Sequence, residues 1–124
     1  ANPVGEIDPE LNLDDLPAYI SEDQRFKIAV ARALMLDPDV LVLDNPFINF
    51  DRNVRKDFQN YLNDKIKQGL SILMVTQDIR YALSHSDRII YVDNENLRIF
   101  DSVTDLRHSD VAAITRYLRQ YPDP

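Results

Sequence analysis

An α/β fold with a mainly parallel sheet flanked by helices is what this sequence predicts, on three observations. Short apolar runs at residues 40–43, 71–76 and 88–92 alternate with segments whose apolar residues recur at helical spacing. Strands that alternate with helices build parallel sheets with helices on their faces. The punctuation falls in the right order, with Ser21 and Asp51 ahead of helical stretches and Asp37-Pro38-Asp39 and Gly69 behind them. Finally, 44% hydrophobic and 28% charged residues over 124 positions suit one folded domain rather than a disordered chain.

Each element can be justified in turn. Residues 1–17 hold Pro3, Pro9, Pro17 and the acidic Glu6, Asp8, Glu10 and Asp14, and predict an irregular lead-in. Ser21 is a good N-cap, Glu22 and Asp23 suit a first turn, and Phe26, Ala29, Val30, Ala33 and Leu34 give one apolar helix face. Proline at 38 ends that helix, since it cannot continue the hydrogen-bond ladder. Val40-Leu41-Val42-Leu43 is a continuous apolar run, which predicts a parallel strand covered on both faces. After Asp51, the residues Val54, Phe58, Leu62 and Ile66 repeat every fourth position, and Gly69 suits the C-terminal cap. A second buried strand is expected over 71–76, a short helix over 78–84 and a third strand over 88–92. Asn94-Glu95-Asn96 predicts a turn into a fourth strand, 97–100. A last helix is expected from about residue 110 to 120, with Val111, Ile114, Leu118 and Tyr121 on one side.

Composition excludes several functions. A formal charge of −7 and an isoelectric point near 4.6 oppose nucleic-acid binding, because phosphates call for a basic surface. There is no cysteine, hence no disulfide and no thiolate metal site. No apolar run approaches the roughly 20 residues that span a bilayer. His85 and His108 have no second ligand at metal spacing, and no serine sits in a nucleophile elbow. The expectation is a soluble, cytoplasmic protein without direct membrane insertion, peripheral to the inner membrane through a partner.

Residues 21–51, SEDQRFKIAVARALMLDPDVLVLDNPFINFD, carry the most specific pattern. The frame Ser21, Gln24, Arg25, Ala31-Arg32-Ala33-Leu34, Pro38, Asp44, Pro46 and Asp51 resembles the ATP-binding cassette (ABC) ATPases from signature motif through Walker B to D-loop. Gly69-Leu70-Ser71-Ile72-Leu73-Met74-Val75-Thr76-Gln77-Asp78 resembles the family's switch strand, and Ala82 and Asp87-Arg88-Ile89 follow at the usual spacing. The resemblance covers roughly residues 16–101. Departures fall on the chemical positions: Glu22 and Asp23 replace the signature glycines, Asn45 the catalytic glutamate and Gln77 the switch histidine. Gly5 and Gly69 are the only glycines, so no Gly-x-x-x-x-Gly-Lys phosphate loop occurs in these residues.

The resemblance implies a vestigial nucleotide site at Ser21, Gln24, Asp44, Asn45, Asp51 and Gln77. In the family the signature serine and glycine amides read a γ-phosphate, the Walker B aspartate holds Mg²⁺ through water, and the glutamate polarises the attacking water. An amide has no basic lone pair, so Asn45 can orient water but cannot serve as the base. Glutamine at 77 can donate a hydrogen bond but does not titrate near neutrality. Plainer roles weigh more for most of these positions: Glu22 and Asp23 as first-turn acids, Asp44 as a turn residue, Gln77 as a polar strand end. Phe47, Ile48 and Phe50 in a D-loop that is normally small predict burial against something, either this chain's own core or another subunit.

The expected organisation is an irregular lead-in over 1–17, an ABC-like core with altered motifs over 18–107, and a C-terminal helix and tail over 108–124. The fold is then a partial P-loop NTPase fold without its phosphate-loop half. No catalytic residue and no metal ligand is assigned, and no cofactor or hydrolysis is expected of this chain alone; ATP and Mg²⁺ are implied by resemblance only. Implied partners are another copy or another ATPase subunit and a membrane permease. By the resemblance the phosphate-loop strand would lie between strands 71–76 and 88–92; the expectation is that these two close up and pair directly in a three-stranded parallel core, with self-association through the apolar surface left over, the alternative being that residues 1–15 or a second copy fill the gap. An interaction module with no nucleotide role, or a cassette half whose ATP-binding half lies elsewhere, are the alternatives.

Overall fold

The computed structural model describes residues 21–48 and 50–120; the expected lead-in, Asn49 and Tyr121 with the rest of the tail lie outside these. The chain divides into two compact units, Ala1–Gln77 and Asp78–Pro124.

In the first unit, helix α1 (Glu22–Leu34) starts at Ser21, whose side chain accepts the Gln24 N–H at 3.3 Å while Gln24 Oε1 accepts the Ser21 N–H at 3.0 Å. This reciprocal capping box satisfies two backbone donors that a helix start leaves open. The helix stops where Asp37 turns left-handed (φ 51°) ahead of Pro38. Strand β1 (Val40–Asp44) leads through helix α2 (Arg52–Lys67) to strand β2 (Ser71–Val75), which pairs in parallel with β1, Val42 opposite Leu73. Asp51 caps α2 by accepting the Val54 N–H at 2.9 Å. At its other end Gly69 (φ 107°) donates to Ile66 O at 3.0 Å and Leu70 to Lys65 O at 3.0 Å, a Schellman closure that needs a residue free of Cβ strain. The core joins Val30 of α1, Leu41 and Leu43 of β1, and Phe58 and Leu62 of α2, with Ile72 and Met74 of β2 packed against it. Burying each of these large side chains contributes about 1.5–3 kcal/mol.

Two expectations fail here. The strands are not covered on both faces: Leu41 and Leu43 are buried, whereas Val40, Val42, Leu73 and Val75 are about half exposed or more. Both helices of the unit lie on the Leu41–Leu43 side, so alternation leaves the other side chains uncovered. Nor do β2 and the strand after it pair: the described strands form two separate two-stranded sheets. The later strand pairs with its neighbour across a short turn, an antiparallel closure of low entropic cost.

That second sheet is the hairpin β3 (Ile89–Val92) and β4 (Leu97–Phe100) of the second unit, in register Ile89 with Phe100 and Val92 with Leu97. Helix α3 (Ile79–His85) precedes it, and helices α4 (Val103–Arg107) and α5 (Ala112–Gln120) follow. Leu106, Val111 and Ile114 are buried, with Leu83, Ile89, Tyr91, Phe100 and Leu118 against them. α4 was not expected; five residues are too few for a periodic signal, but Ser102 three residues before Asp105 is a capping pattern, and its Oγ accepts the Asp105 N–H at 3.1 Å. The last helix starts at Ala112 rather than near 110, because Val111 N–H is taken by Ser109 Oγ at 3.0 Å and Val111 O accepts the first helical N–H, from Thr115.

Candidate functional site

The carboxyl end of the β1–β2 ladder is where three of the six candidate residues, Asp44, Asn45 and Gln77, come together. Open α/β sheets bind ligands outside the carboxyl ends of their strands. Asp44 closes β1 opposite Val75, and Asn45 N–H continues the ladder by donating to Val75 O at 2.8 Å. Gln77 follows β2 by two residues, so Asp44, Asn45 and Gln77 lie at neighbouring strand ends, all three exposed. Asn45 is left-handed (φ 45°), a conformation that asparagine tolerates better than most residues, and Pro46 behind it is buried. The Asp-Asn-Pro sequence is a turn signal that could have announced this geometry.

Ser21, Gln24 and Asp51 serve local ends. Ser21 and Gln24 bond each other in the capping box, and the Ser21 hydroxyl donates to the Asp23 carboxylate. Asp23 also faces Lys27 at 3.9 Å, one helical turn on, and Lys27 is buried. Asp51 caps α2. The start of α1 therefore presents a serine whose proton points to a carboxylate, with Glu22 exposed beside it. Two unit charges 4 Å apart repel by about 1 kcal/mol in water and by several times that near a protein surface, so a phosphate is disfavoured here. Asp44 alone would offer a cation one exposed carboxylate. As they stand, the described residues do not make a cradle for a nucleoside triphosphate and its magnesium.

The D-loop aromatics belong to the core of the first unit. Phe26, Phe50 and Phe58 pack edge to face with centroids 5.5–5.7 Å apart, Phe47 joins at 5.9 Å from Phe50, and the Arg55 guanidinium lies 4.9 Å over the Phe47 ring. Each such aromatic pair adds about 0.5–1.5 kcal/mol beyond burial. Ile48, between them, stays 81% exposed. Sequence reasoning left the partner of this loop open; its aromatics meet their own helices.

Known proteins that resemble this chain agree with one another. The sulfate/thiosulfate import ATP-binding protein CysA 2 of Agrobacterium fabrum is 42% identical over 81 residues, 64% of this chain and 24% of that protein. The spermidine/putrescine import ATP-binding protein PotA of Mycoplasma genitalium is 35% identical over 97 residues, 77% of this chain and 17% of that protein. The chain thus spans a quarter or less of the length of these relatives. Among solved structures, the ADP conformation of MJ1267, an ATP-binding cassette of an ABC transporter, superposes with TM-score 0.68 at 19% identity, over 91% of this chain and 47% of that one. The dimeric post-hydrolysis state of the cassette MJ0796, bound to ADP and Pi, gives 0.64 at 26% identity, over 77% and 42%. No family model matches the chain.

Proposed function

We propose, from the premise that this chain corresponds to the C-terminal part of an ATP-binding cassette ATPase domain, that it is a non-hydrolysing portion of a membrane transport ATPase. The observation that carries this reading is Asn45. It stands at the exposed end of β1 beside Asp44, where a carboxylate would be needed to polarise water, and it is an amide. Gln77 at the neighbouring strand end supplies no titrating group either. The relatives are named as import ATP-binding proteins, so a permease and a second ATPase subunit are the partners proposed, and any membrane association runs through them. Among the described residues no helix is long and apolar enough to cross a membrane. The relatives' cargoes differ, sulfate or thiosulfate in one and polyamines in another, so none is assigned here.

ATP titration and a phosphate-release assay on the chain test the proposal. The expected result is no magnesium-dependent turnover, and none after Asn45→Glu with Gln77→His, because a restored base has no positioned γ-phosphate to act on. Turnover in that double variant above a heat-inactivated control would overturn it. A second reading, an interaction module with no nucleotide role, is favoured by the bare apolar face of the β1–β2 sheet; intact partner binding with no nucleotide effect would select it.

A further inference from the structure

Helix α5 carries Arg116 and Arg119 and no acidic residue, on a chain whose formal charge is −7. Its two sides differ. Ile114 is buried and Leu118 packs against the same core, with Val111 just ahead of the helix. On the other side Ala112, Thr115, Arg116, Arg119 and Gln120 recur at helical spacing as one stripe and, with Asp110, line an open surface cavity of about 710 Å³. Thr115 donates its hydroxyl proton to Val111 O at 3.2 Å, so the donors left for a ligand are Arg116, Arg119 and Gln120, all three exposed. Asp110, the acid at the rim, lies 3.8 Å from the Arg98 guanidinium of β4, which offsets its charge. Neither Arg116 nor Arg119 has an ion-pair partner among the described residues.

We propose that this stripe is a docking site for an acidic peptide segment of a partner protein, with carboxylates taken by Arg116 and Arg119 and a backbone carbonyl by the Gln120 amide. Guanidinium groups hold carboxylates through paired N–H donors, which gives the contact direction as well as strength. Residues 112–120 run for about 12 Å along the helix axis, the length of about four extended residues. A small anion on such exposed donors would stay in water and gain little, whereas a peptide engages both arginines along the stripe. An anionic membrane fits less well, because the stripe offers no large apolar side chain to insert and the whole chain's charge of −7 would be repelled. Against a short peptide that repulsion is screened beyond about 8 Å at physiological salt, while the guanidinium contacts act at hydrogen-bond distance.

The probe is a capped hexaglutamate peptide, titrated into the chain by calorimetry at low and at physiological salt. One-to-one binding that weakens with salt is expected, and in the unmodified chain the amide NMR signals that shift should be those of residues 110–120. Arg116→Ala with Arg119→Ala should weaken binding at least tenfold and leave the melting temperature unchanged, since both side chains are exposed. Arg52→Ala with Lys56→Ala removes the same charge from two exposed positions of α2 and should leave binding as it was. Equal loss in the two double variants would overturn the proposal, because the attraction would then be general charge. No saturable binding at low salt, or shifts that fall outside 110–120, would overturn it too, and the shift map decides even where the arginine variant does not fold. Inorganic phosphate that displaces the peptide at equal concentration would make the occupant a small anion. Phosphatidylglycerol vesicles that bind the chain through the same arginines would make it a membrane, and either result overturns the peptide.

Discussion

Asn45 holds a left-handed backbone at φ 45° while its N–H extends the parallel ladder, so the turn after β1 depends on what that position tolerates. Side chains other than asparagine, aspartate and glycine cost about 1–2 kcal/mol in this region. Asn45→Glu should therefore lower stability by about 1 kcal/mol, and Asn45→Gly should be near neutral; chemical denaturation of the two variants measures the difference. Equal stability would show that the turn relaxes out of the left-handed region. The adjacent pair separates burial from position. Leu43 is 4% exposed and Asp44 is exposed, although they are neighbours on one strand. Leu43→Asp should abolish folding of the first unit, since an unpaired buried carboxylate costs several kcal/mol. Asp44→Ala should change stability by less than about 0.5 kcal/mol. Thermal melts decide this, and a magnesium-dependent rise in the parent chain's melting temperature that Asp44→Ala lacks would mean that Asp44 holds a cation.

At the scale of elements, most of the order was legible because capping and periodicity are local. Ser21, Asp51 and Gly69 announced two helices through side-chain and backbone chemistry that needs no tertiary partner. What was not legible was which faces would be covered. Val40-Leu41-Val42-Leu43 is apolar at every position, and an apolar run states that burial is favourable without saying that a neighbour is present. The β3–β4 hairpin shows the converse, a turn whose chemistry explains itself. Asp93 accepts the Tyr91 hydroxyl at 2.7 Å, the Glu95 N–H at 2.8 Å and the Asn96 N–H at 2.7 Å. The Tyr91 bond first, and then the backbone donors, hold the Asp93 carboxyl below its ordinary range, while the same bond pushes the Tyr91 hydroxyl up. A carboxyl lowered by folding stabilises the hairpin above its ordinary titration range, and that contribution is lost as pH falls through the lowered value. Carboxyl NMR should give Asp93 a midpoint below that of an ordinary aspartate, and Tyr91→Phe should move it upward. A midpoint at the ordinary value would mean that the tyrosine bond does not persist in solution.

Over the whole molecule, the two units are unequal in what each can hold by itself. The first joins a parallel strand pair and two helices around Val30, Leu41, Leu43, Phe58 and Leu62, with a ring of aromatics about Phe58. The second closes an antiparallel hairpin with short helices around Leu106, Val111 and Ile114. Two-stranded hairpins are marginal in water without a substantial apolar face to support them, and Ile90, Val92, Leu97 and Ile99 leave one hairpin face exposed. Direct pairing of the strands at 71–76 and 88–92 was expected because an open slot leaves backbone groups unpaired, and the described strands instead form two separate two-stranded sheets, one in each unit. Amides should then exchange in two tiers. Residues 41–43 of β1 and 58–62 of α2 should show the slowest exchange, near the limit set by global unfolding. The β3–β4 amides should exchange faster by about tenfold for each 1.4 kcal/mol that separates the two openings. Native-state exchange across a denaturant series measures both tiers at once. Merging of the two sets at low denaturant would show that the units unfold as one cooperative body, and that the hairpin draws its stability from more than Leu106, Val111 and Ile114.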